Sequence, residues 1–169
     1  MGVHHYKLAV MPRAYFGQQL PATMSEADID RGEDTSLGWW AAHPPSDQFM
    51  AGIRDLLPHA RPWPDGDVEE YVCSGDLGSD IRVWKKAGRV WRIAFRFSPV
   101  ADAWPLMQRF LTLARDEQCL LLEERFGAVF EPDEKIVRER LVASRAMQFV
   151  RDPMGAIVQT AKELKDDAG

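Results

Sequence analysis

Residues 81–97 read IRVWKK, then AG, then RVWRIAFRF. Apolar and cationic side chains alternate through both runs, and a period of two across a Gly-containing turn specifies a β-hairpin. The alternation also sorts the side chains by face. Ile81, Val83, Trp91, Ile93, Phe95 and Phe97 share one face; Arg82, Trp84, Arg92 and Arg96 share the other. A sheet with one strongly apolar face needs a layer laid over it.

The flanking sequence supplies two amphipathic helices for that layer. One is expected from Ser46, whose side chain can cap free backbone amides. Phe49, Ile53, Leu56 and Leu57 then fall on one face, and Pro58 ends it. The other is expected from Ser98-Pro99, an N-cap followed by proline in the first helical position. Asp102 suits its positive end. Val100, Trp104, Met107, Phe110, Leu111 and Ala114 form its apolar stripe, which runs to about Glu117. Further strands are expected at 3–10 (VHHYKLAV), with Tyr6, Leu8 and Val10 on one side, and at 68–73 and 119–124. Residues 128–131 continue the last of these or pair with it.

Residues 11–45 read as a long irregular connection. It holds Pro12, Pro21, Pro44 and Pro45, an acidic stretch (Glu26, Asp28, Asp30, Glu33, Asp34) and a short helix from Ser25. Its Trp39 and Trp40 either plug a core edge, the usual fate of large apolar side chains, or anchor a partner. Residues 58–67 and 74–80 read as turns. From Asp133 the chain is expected to be helical to Asp152, break at Asp152-Pro153, and resume to Leu164.

The order strand, helix, strand, strand, helix, strand is the split β-α-β pattern of a ferredoxin-like α+β sandwich. Residues 1–132 form that domain, and 133–169 add two C-terminal helices packed on it. One sheet face is then left for those helices, a second copy of the chain, or a ligand.

At 169 residues, 46% hydrophobic and 28% charged, the chain has enough apolar surface for a globular domain and is not of the disordered class. No apolar run approaches the roughly 18 residues of a membrane span. The N-terminus lacks the charged-then-apolar pattern of a secretory signal, so a cytoplasmic location is expected. Cys73 and Cys119 sit in apolar runs and read as buried thiols.

Charge is unevenly placed. Residues 81–101 carry Arg82, Lys85, Lys86, Arg89, Arg92 and Arg96 with no acid, so this +6 segment leaves −11 on the rest of a chain whose net charge is −5. The plainest reading is an internal ion network, with the acidic 26–34 stretch or the C-terminal helices over the arginines. A second is a protein partner anchored by arginine and tryptophan. Single-stranded nucleic acid is disfavoured. GRVWRIAFRF lacks the expected ribonucleoprotein signature, and the overall charge has the wrong sign.

Catalytic and cofactor motifs are absent. Gly75-Asp76-Leu77-Gly78 lacks the lysine and hydroxyl residue of a phosphate loop, and no HExxH, CxxC, EF-hand or Gly-x-Ser-x-Gly spacing occurs. His4 and His5 are neighbours, as are Glu69/Glu70 and Glu123/Glu124. Neighbours on a strand point to opposite faces, so none of these pairs acts together. No metal, cofactor or catalytic residue is therefore assigned.

The succession of elements resembles that of small bacterial immunity-type proteins associated with secreted polymorphic toxins. The resembling features are the HYKLAV strand, a proline-rich connection into FMAGIRDLLP, and a strand ending near YVCS. RVWRIAFRFS follows and runs into AWPLMQRFLTLARDEQ, and CLLLEERFGAVFEP closes on Phe130-Glu131-Pro132. The likeness spans residues 3–132. The tail from 133 departs from the usual short form, and the acidic 26–34 stretch has no counterpart. The resemblance implies a non-enzymatic inhibitor of a cognate toxin. Two candidate surfaces follow. One is Glu26, Asp28, Asp30, Glu33, Asp34, Trp39 and Trp40, whose carboxylates could fill a basic cleft. The other is Arg82, Trp84, Arg92 and Arg96. The alternative is a ferredoxin-like small-molecule-binding domain or enzyme, with a pocket between the sheet and the C-terminal helices.

Overall fold

The computed structural model describes residues 5–62, 66–72, 78–99 and 103–155. In chain order the elements are β1 (Tyr6–Pro12), α1 (Glu26–Gly32), α2 (Trp39–Ala42), α3 (Asp47–Leu56), β2 (His59–Pro62), β3 (Val68–Val72), β4 (Asp80–Lys86) and β5 (Arg89–Phe97). They are followed by α4 (Trp104–Asp116), β6 (Cys119–Glu123), β7 (Ala128–Phe130), α5 (Glu134–Ala143) and α6 (Arg145–Arg151). The fold is α+β. Among the described residues the strands form one antiparallel sheet of seven in the order β2-β3-β4-β5-β1-β6-β7.

Register sets the two faces. Tyr6 lies opposite Phe97, Leu8 opposite Phe95, Val10 opposite Ile93, and Ile81 opposite Phe95 from the other side. This face is buried under helices. The Phe95 and Phe110 rings sit 4.2 Å apart, and Phe97 meets Trp104 edge-on. Each large side chain removed from water here contributes on the order of 2–3 kcal/mol. α3 begins as the sequence predicts, with the Ser46 hydroxyl accepting from the Phe49 amide at 3.0 Å. Glu117, just past α4, accepts from both the amide and the hydroxyl of Ser46 and ties the two helices together. A Cβ at Gly52 would strike Leu113, so glycine sets how closely α3 approaches α4.

Several elements differ from the sequence reading. The turn-rich 58–67 segment contains an edge strand, β2, whose Pro62 is tolerated because an edge needs fewer ladder donors. The second covering helix starts at Trp104, not at Pro99. Ser98 instead follows the end of β5, its amide donating to the Ser79 hydroxyl at 2.9 Å. The 133–152 helix is interrupted at Ser144, whose hydroxyl donates to the Leu141 carbonyl and accepts from the Met147 amide. A register shift between Trp84 and Lys85 leaves Trp91 without an opposite residue; its half-buried ring lies 6.4 Å from that of Trp84, not on the Ile81 face the alternation predicts. Cys73, Val100, Asp102 and the expected helix from 156 lie outside the described residues.

The 11–45 connection is largely structured. Its amides and carbonyls bond along β7, with Met24 to Gly127 and Val129 to Ala22, so the sheet edge is covered. Ser25 and Asp28 form a capping box that starts α1. α2 then lies against β5 and β1.

Candidate functional site

The basic face of the hairpin folds as the alternation requires. Trp84 lies opposite Arg92, Arg82 opposite Ala94, and Asp80 opposite Arg96. Arg82, Lys85, Arg92 and Arg96 are met by this chain's own carboxylates. Arg92 reaches Glu33 at 3.1 Å and Glu124 at 2.5 Å, with its guanidinium carbon 4.9 Å from the centre of the Trp84 ring. Arg82 bonds Glu70 through two nitrogens, at 3.0 and 2.9 Å. Asp80, 3% exposed, lies 3.3 Å from Arg82 and 2.6 Å from Arg96. Lys85 pairs with Glu69 at 2.5 Å, and Lys86 reaches the Thr35 hydroxyl.

Adjacent carboxylates have separate partners, by strand alternation for Glu69 and Glu70 on β3, and for Glu123 and Glu124 because β6, expected to run to 124, ends at Glu123 and Glu124 opens a 3-10 turn. Glu69 serves Lys85 and Tyr71, whereas Glu70 serves Arg82. Glu123 accepts from Tyr6 and Arg140, whereas Glu124 accepts from Arg92. Burial pushes the Glu33 carboxyl above the usual range, against the pull of Arg92 and with the charges of Glu124 and Asp30 adding to it. Burial likewise raises Asp80 despite its two arginines. Burial also raises the Cys119 thiol.

The acidic candidates divide in two. Glu33 faces inward as a partner of Arg92, while Glu26, Asp30 and Asp34 are exposed and Asp28 is half-buried in its capping box. Hydrogen bonds from Ser25 hold the Asp28 carboxyl below its usual range; the amides of Ser36 and Leu37 do the same for Asp34. Those two amides, at 2.8 and 2.7 Å from the Asp34 carboxylate, fix the loop that carries Leu37, which is 78% exposed.

Trp39 and Trp40 cannot anchor a partner in this conformation, because each is only 1% exposed. Trp40 stacks on Phe49 and donates its indole N–H to the Val10 carbonyl at 2.8 Å. Trp39 lies flat on Gly32, where any Cβ would overlap its ring. Neighbours on a short helix point in different directions, so one indole serves α3 and the other α1.

Between the sheet and the C-terminal helices lies a recess of about 170 Å³, lined by Phe97, Trp104, Arg138, Leu141 and Met147. The Arg138 guanidinium sits 4.0 Å above the centre of the Trp104 ring, and Glu134 accepts from the Trp104 N–H. Among the described residues no group of three or more His, Cys, Asp and Glu side chains could hold a metal ion, and no helix is long and apolar enough to cross a membrane. Leu37 escaped the sequence reading because one leucine in a polar loop carries no periodic signal. Compared with protein-family models, curated proteins and solved structures, the chain matches none.

Proposed function

We propose that this chain is a non-enzymatic protein-binding module of the immunity type, which neutralises a cognate bacterial toxin in the cytoplasm. It docks through the outer surface of α1 and the loop after it. The observation that carries this reading is Leu37, exposed at 78% on a loop whose amides bond the Asp34 carboxylate, in the same segment as the exposed carboxylates of Glu26, Asp30 and Asp34. An apolar centre with a charged rim is the usual anatomy of an interface. Carboxylates suit a basic cleft and speed encounter with it. Arg82, Arg92 and Arg96 take a different role, since their charge is already matched within the chain. We read the inner strands β4-β5-β1-β6, with α3 and α4 over them, as a ferredoxin-like unit. β2 and β3 extend one edge, β7 the other, and the C-terminal helices are added on.

The alternative, a small molecule held between sheet and C-terminal helices, would have to fit the 170 Å³ recess. That is below the roughly 300 Å³ at which ligand pockets usually begin.

The test is capture from the host lysate with the tagged full chain at low and moderate salt, followed by identification of bound species. One stoichiometric protein that survives moderate salt, and is lost with Leu37→Asp or with the pair Glu26→Lys and Asp30→Lys, supports the reading. These positions are exposed, so the variants should keep the wild-type unfolding free energy within about 1 kcal/mol, the first-turn charge of Glu26 included. An empty capture, one holding only salt-sensitive nucleic acid, or one unaffected by the variants overturns it.

A further inference from the structure

We propose that the cleft between the α2–α3 corner and the β4–β5 turn binds a small organic anion, an apolar body carrying one carboxylate or phosphate group. The cleft encloses about 500 Å³, within the range of small-molecule sites. Its walls are apolar where Trp40, Met50, Val90 and the Pro44-Pro45 pair line it. Its cations are Arg54, Lys85 and Arg89, against the single lining acid Asp47.

These cations are not equally free. Lys85 is held by Glu69 at 2.5 Å, and Arg54 acts on the same Glu69 and Tyr71. Arg89 is exposed, and among the described residues its side chain makes no hydrogen bond or ion pair. It follows Ala87 and Gly88, whose φ of 50° and 75° fold the hairpin back tightly. That turn sets Arg89 at the cleft mouth, where its planar fork can take two oxygens of one anion. The walls are already ordered, because proline fixes its own backbone and Glu117 pins the start of α3. Little ordering is left to oppose binding. The cleft includes none of the acidic α1 residues or Leu37, so this inference and the toxin-binding reading can fail independently.

The full chain, 15N-labelled, would be titrated at low salt with phenyl phosphate, phenylacetate and neutral phenol, following backbone amide shifts. Saturable shifts at Ala41, Met50, Gly88 and Arg89 are expected with at least one anion, and phenol should bind at least about tenfold more weakly. The tighter anion identifies the head group. Arg89→Gln should weaken anion binding about tenfold with an unchanged unfolding midpoint. The proposal is overturned by no saturable shift at about 10 mM of either anion. Equal binding of phenol overturns it too, as does binding that Arg89→Gln and Arg54→Gln both leave intact.

Discussion

At the scale of single residues, Gly32 and Arg92 do the most specific work. Gly32 leaves room for the Trp39 ring, so Gly32→Ala should destabilise the fold by about 1–3 kcal/mol in urea denaturation through overpacking. A neutral result would mean that the indole can shift aside. Arg92→Met strands Glu33 and Glu124 and should cost about 2–4 kcal/mol, with part recovered when both are also changed to glutamine. Glu33 gives a signed pH test. Its folded carboxyl is raised, so its contribution is fully present below the unfolded carboxylate range and is lost as pH rises through the folded value. Glu33→Gln should therefore gain stability relative to the wild type as pH rises above the unfolded carboxylate range. A relative loss over that window would contradict the burial argument. The facing of Arg82, Trp84, Arg92 and Arg96 was legible from alternation alone. The identity of their partners was not, because Glu33 and Glu124 are brought to Arg92 from about 60 and 30 residues away by tertiary folding.

Elements were legible where periodicity is long and failed where a hydrogen bond outside the pattern decides. α3 and the β4–β5 hairpin follow from apolar spacing and a serine cap. β2 has no alternating apolar residues, and its existence depends on an unpaired edge of β3. The late start of α4 and the interruption before α6 share a cause. Each turns on one serine: the Ser98 amide is taken by the distant Ser79 hydroxyl, whereas the Ser144 hydroxyl bonds locally, back to Leu141 and forward to Met147. Ser144 closes α5 and opens α6 with one hydroxyl. Ser144→Ala should cost about 1–2 kcal/mol and increase amide exchange at Met147. Unchanged exchange there would show that packing, not the cap, holds the joint.

For the whole molecule, the sequence places a +6 hairpin in a chain of net charge −5. Folding turns several of these cations toward carboxylates from the end of α1, β3, β4 and the turn after β6, which closes much of the basic face on itself. On and just after α1, Glu26, Asp30 and Asp34 stay exposed beside the exposed Leu37. The claim resting on this arrangement is neutralisation, and it is tested by titrating this chain into a fixed amount of the captured partner while its toxic activity is followed. Activity should fall linearly to background at about one equivalent for the wild type, as expected of tight binding well above Kd. With the Glu26→Lys and Asp30→Lys pair, several equivalents should be needed. Full activity in the presence of excess wild-type chain would contradict the account.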